Sequence, residues 1–87
     1  MSMVGGNLEQ LDSLQRTFVS ESANVAALLA RISGVIHGTT WMGPAADAFR
    51  GQWDSQFAPA LGSLRTGLDE QARVVATRRA AIASATS

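Results

Sequence analysis

The sequence predicts an all-α fold: an antiparallel two-helix hairpin that dimerises into a four-helix bundle. Three observations carry that expectation. Apolar residues recur at seven-residue spacing along two long stretches, and a short segment from Gly38 to Pro44 separates them. At 87 residues, the chain is also too short for one hydrophobic core to outweigh its conformational entropy by much. Residues 1–87 read as a single domain.

The first helix is expected over about 8–37. Leu11, Phe18, Val25 and Ile32 form one heptad row, and Leu14, Leu28 and Val35 form the complementary row, interrupted by Glu21. Leu8, Leu29 and Ile36 widen the stripe, which predicts contact with more than one neighbouring helix. Asp12 and Arg16, four residues apart, fit an exposed face. Gly38 is expected to end the helix in the left-handed C-cap conformation. Gly43 then reads as an N-cap, with Pro44 at the first position of the next helix. A turn as short as 38–43 makes the two helices antiparallel neighbours.

The second helix is expected over about 44–83. Leu61, Leu68, Val75 and Ile82 share one row beside Phe57 and Leu64, and Trp53, Ala60, Gly67, Val74 and Ala81 form a flanking row. The small Ala60 and Gly67 would admit a close helix neighbour. The seam of hairpin and dimer is therefore expected to comprise Leu11, Leu14, Phe18, Val25, Leu28, Ile32, Phe57, Leu61, Leu64, Leu68 and Val75. Pro59 interrupts the pattern, because it lacks an N–H and its ring clashes with the carbonyl of Ser55. It predicts a kink, or a break with a new helix starting there; the unbroken register from Phe57 to Leu64 favours the kink. Residues 84–87 have no apolar anchor and are expected to fray.

Composition narrows function by exclusion. The chain has no cysteine and one histidine, His37, so disulfides and thiolate or imidazole metal clusters are excluded, and no cofactor is implied. Seven arginines balance seven acids and lysine is absent, which leaves no electrostatic footprint for nucleic acid. No uninterrupted apolar run approaches the ~20 residues of a membrane span. Residues 1–10 lack the basic and apolar regions of a cleaved signal peptide.

No constellation supports catalysis, so the chain is not expected to be an enzyme. His37 suits the negative end of a helix dipole, and Asp69 has Arg73 four residues on. Arg73, Arg78 and Arg79 make the end of the second helix basic, as its dipole favours, and leave open a docking surface for an acidic partner. Oligomerisation is the remaining source of stability. A coiled-coil scaffold would account for the heptads alone.

The informative feature is Trp41-Met42-Gly43. A tryptophan in a two-helix turn either covers the ends of the helices or protrudes into a partner, and one ring can do both. A hairpin of this length with a Trp-x-Gly turn at its midpoint resembles the WXG family, the small proteins related to the early secreted antigenic target of mycobacteria. Ala45-Ala46-Asp47-Ala48-Phe49 and Trp53-Asp54 are similar to the start of that family's second helix.

The resemblance covers the whole chain. It implies a four-helix dimer, made with itself or with a sister protein, in a virulence-associated family. Such proteins are made in the cytoplasm and exported by a type VII (ESX-like) secretion system with an FtsK/SpoIIIE-type ATPase. It further implies that Trp41 and Gly43 form part of a bipartite export signal, beside a Tyr-x-x-x-Asp/Glu motif in the partner's C-terminus. This chain has no tyrosine and no acid after Glu70. Either a sister subunit supplies that motif, the reading preferred here, or the ATPase reads other tail residues such as Val75, Arg79 and Ile82. The alternative function is a non-secreted helical adaptor or chaperone for a larger toxin-like protein.

Overall fold

The computed structural model describes residues 6–86. Helix α1 spans Leu8–Gly38, helix α2 spans Pro44–Gln52, and helix α3 spans Ala58–Thr86. A single π-helical turn, Trp53–Phe57, joins α2 to α3 without a loop. The result is an antiparallel hairpin, all-helical among the described residues, in the form of a rod 67 × 16 × 14 Å. Helix α3 continues to Thr86, past the expected end near 83, and Ser87 of the expected frayed tail lies outside the described residues.

The start of α1 is fixed by Asn7, whose side-chain oxygen accepts the Gln10 N–H at 3.0 Å and satisfies one of the donors a helix start leaves free. Its end differs from the expectation. Gly38 is helical, not left-handed, and Thr39 provides an extended cap at φ −77°, ψ 130°. A left-handed glycine is unnecessary because side chains satisfy the terminal carbonyls: the Thr39 hydroxyl donates to Val35 O, and Arg50 donates to Ile36 O.

Pro59 neither breaks the helix nor begins a new one. In the π turn the Ala58 N–H donates to Trp53 O, five residues back, so the ladder widens by one residue just ahead of the proline. That extra residue rotates everything before it by about 100° relative to a continuous α-helix. Trp53, which heptad spacing aligns with Ala60 and Gly67, is turned toward α1, and its indole N–H donates to the Ser33 hydroxyl at 2.9 Å.

The seam follows 3-4 spacing. Leu8, Leu11, Gln15, Phe18, Ser22, Val25, Leu29, Ile32 and Ile36 of α1 face Leu61, Leu68, Ala72, Val75, Arg79 and Ile82 of α3. Of the expected seam, Leu11, Phe18, Val25, Ile32, Leu61, Leu68 and Val75 are half-buried there. Leu14, Leu28, Phe57 and Leu64 are not: they stand one position off the seam and are exposed, because two helices cover only one narrow stripe each. Ala60 and Gly67 admit no close neighbour within the hairpin, since a Cβ on Gly67 would meet nothing within 4 Å.

Among the described residues, only Ser22, Ala46 and Ala72 are fully buried, and no large side chain is. The accessible surface of 6185 Å² exceeds by about a quarter the roughly 4,900 Å² expected of a compact monomer of 9.1 kDa. A two-helix rod has no interior in which to place its larger apolar side chains.

Candidate functional site

The turn at one end of the rod is a built structure. Gly43 has φ 113° and ψ 174°, a backbone conformation that side chains with a Cβ rarely adopt, and Pro44 follows at the first helical position. Gly43 O then accepts the Asp47 N–H at 3.0 Å, which starts α2 directly after the turn. Trp41 packs its ring 5.7 Å from that of Phe49 at an interplanar angle of 56°, yet remains 44% exposed. Met42 beside it is 87% exposed. Trp41 therefore has both a fixed position and an accessible edge.

Arg50 holds the turn together. Its guanidinium donates to three backbone carbonyls: Thr39 O at 2.7 Å, Trp41 O at 2.8 Å and, through Nε, Ile36 O at 3.3 Å. These carbonyls belong to the negative end of α1 and to the turn, so one cation meets a concentration of acceptors. Sequence reasoning missed this residue. The available signal was a lone arginine two turns after a helix start, facing carbonyls that the preceding helix end had to leave unpaired.

One ion pair and one histidine–carboxylate contact bridge the helices on one side of the hairpin. Arg79 donates to both carboxylate oxygens of Asp12 at 2.9 and 3.3 Å, and His37 Nε2 lies 3.0 Å from Asp54 Oδ1. Asp12 thus pairs across the seam and not with Arg16 along its own helix, and His37 has a side-chain partner besides the helix end. Val75, Arg79 and Ile82, the tail residues proposed for ATPase docking, lie on the seam: Arg79 is held by Asp12, and Val75 and Ile82 are half-buried.

The opposite side is different. Leu14, Glu21, Leu28 and Val35 each precede by one residue a seam row of α1, and Phe57, Leu64, Gln71 and Arg78 precede a seam row of α3. In antiparallel helices, positions rotated in the same sense from the seam point to the same side of the pair. All eight side chains are exposed. The Asp12–Arg79 and His37–Asp54 contacts set the levels: Leu14 stands beside Arg78, Glu21 beside Gln71, Leu28 beside Leu64, and Val35 beside Phe57.

No group of three or more potential metal ligands occurs among the described residues. By length and a mean hydropathy of 1.2 over 18 residues, α1 is apolar enough to cross a membrane, a property that the uninterrupted-run criterion does not register. It carries Glu9, Asp12, Arg16, Glu21 and Arg31 along its length, and a charge at the centre of a span costs roughly 2.5–3.5 kcal/mol by insertion scales. No family model, curated protein or solved structure matches the chain.

Proposed function

We propose that this chain is one subunit of a four-helix dimer exported by a type VII secretion system, with the Trp41–Gly43 turn forming one part of a two-part signal read by an FtsK/SpoIIIE-type ATPase. The second part comes from the other hairpin of the dimer, a sister protein or a second copy. The reading rests on the resemblance of the Trp-x-Gly hairpin to exported proteins. The observation that carries it is the turn itself: Arg50, Gly43 and Phe49 hold Trp41 in place while leaving its edge open to a receptor. A tryptophan serving only to cover the helix ends would not need that open edge.

Export into the culture medium, measured for wild type and Trp41→Ala, tests the proposal. The variant should remain in the cell while its helicity and dimer mass stay those of wild type. Unchanged export removes Trp41 from the signal. A second reading, a non-secreted adaptor or chaperone that covers a helix of a larger toxin-like client, is favoured by the open apolar levels Leu28/Leu64 and Val35/Phe57. A stable intracellular complex with such a client, without export, would select it.

A further inference from the structure

The face that the second arm of the hairpin turns toward α1 shifts by one residue at the π turn. In α3 the seam runs through Leu61, Leu68, Ala72, Val75, Arg79 and Ile82. Continued backward at seven-residue spacing, the row of Leu61 and Leu68 leads to Asp54 and Asp47, and the row of Ala72 leads to Ala58 and Gly51. The residues of α2 and the π turn that face α1 stand one position earlier. Ala46 is buried, Arg50 reaches Ile36 O, and Trp53 reaches the Ser33 hydroxyl. Asp47, Gly51 and Asp54 are exposed; a Cβ on Gly51 would meet nothing within 4 Å, and Asp54 meets His37 at the rim. Ala46, Arg50 and Trp53 keep the seam spacing of four and then three residues among themselves. They are therefore in phase with one another and one residue out of phase with α3.

We infer that Pro59 is a positioning residue for the Trp41 turn: by holding the ladder open at Trp53–Phe57 it sets the rotational phase of α2, and with it the place of Arg50. The consequence for export rests on the reading of Trp41 given above, whereas the phase does not. In a continuous α-helix the Pro59 ring would clash with the Ser55 carbonyl, and its missing N–H would leave that carbonyl without a ladder partner. The widened turn takes up one extra residue just ahead of the proline, with the Ala58 N–H on Trp53 O.

Closing the ladder to an α-helix would rotate α2 by about 100° relative to α3. Asp47 and Asp54 would then face the end of α1, and Arg50 would point away from it. The acceptors there are the Ile36, Thr39 and Trp41 carbonyls that Arg50 now answers. Carboxylates placed against that negative helix end would be repelled, where the guanidinium is attracted. An unwidened helix carrying this sequence cannot build the turn, although Pro59 lies 18 positions from Trp41.

Two variants of the full chain, followed by NMR, test the inference. The readouts are the coupling across the Ala58 N–H to Trp53 O hydrogen bond, the Arg50 Nε–H and the Trp53 indole N–H, with helicity from circular dichroism. Pro59→Ala should keep its helicity while the Ala58–Trp53 coupling weakens in favour of one to Asp54, and the Arg50 and Trp53 signals lose their hydrogen-bonded shifts. Deleting the exposed Gln56 from Pro59→Ala removes the extra residue, so a continuous α-helix now carries Ala46, Arg50 and Trp53 in the seam phase. Both side-chain signals should return to their wild-type shifts without the Ala58–Trp53 coupling. Retention of that coupling and of both signals in Pro59→Ala would overturn the inference. So would failure of the deletion to restore them, and so would a loss of helicity in Pro59→Ala, which would make the proline merely structural. None of these readouts uses export, so their failure is distinct from unchanged export of Trp41→Ala.

Discussion

Replacing Arg50 with alanine removes three hydrogen bonds from one charged donor and leaves the end of α1 facing three unanswered carbonyls. A hydrogen bond to a charged group contributes about 1.5–3 kcal/mol when shielded, but two of these are exposed and the carbonyls can return to water. The longest, at 3.3 Å, is only partly buried. We therefore expect about 2 kcal/mol for the set, which lowers the Tm of a domain this small by roughly 8–16 °C. Arg50→Lys supplies a point charge without the planar fork, reaches one carbonyl well, and should recover less than half. The assay is thermal melting by circular dichroism at fixed protein concentration, because pairing would make Tm concentration-dependent. Fluorescence anisotropy of Trp41 in a Trp53→Phe background reports the turn itself. If Arg50→Ala melts within about 2 °C of wild type and Trp41 keeps its anisotropy, the three contacts do not organise the turn.

Two further predictions separate local strain from packing. Gly43→Ala must place a Cβ at φ 113°, and although nothing lies within 4 Å of it, the backbone alone should cost about 1–3 kcal/mol, read as a lower Tm; an unchanged Tm would mean that the turn relaxes freely. Leu61→Asp and Leu64→Asp differ by three residues but lie on different surfaces. The first puts a charge into the seam and should unfold the hairpin at every concentration, whereas the second should leave a helical monomer that no longer associates. Equal loss of helicity in both would place Leu64 in the seam after all.

Features determined by neighbouring residues were legible in the sequence. Gly43 followed by Pro44 marks a helix start through backbone conformation alone, and the lack of proline or early glycine from Leu8 onward marks the length of α1. The rotational phase of the seam was harder to read. Both helices carry apolar stripes wider than one partner can cover, so the residues left outside, Leu14, Leu28, Phe57 and Leu64, have the same character as those inside. The π turn was hidden because Pro59 forbids one hydrogen bond without specifying the remedy, and the remedy moved Trp53 by a full position. Arg50 was missed because its acceptors lie 9 to 14 residues earlier, beyond the reach of any periodicity.

In a rod 67 Å long and two helices thick, each level touches only the levels above and below it, as in a repeat protein. Opening then propagates as in a zipper. The turn end is fastened covalently and by Arg50, whereas toward the other end Asp12 and Arg79 pair about one helical turn in from the start of α1. Amide protection should accordingly fall along the hairpin toward its open end, with separate exchange regimes for the two halves of each helix. The free energy of local opening in such a chain is a profile along its axis, bounded above by that of global unfolding.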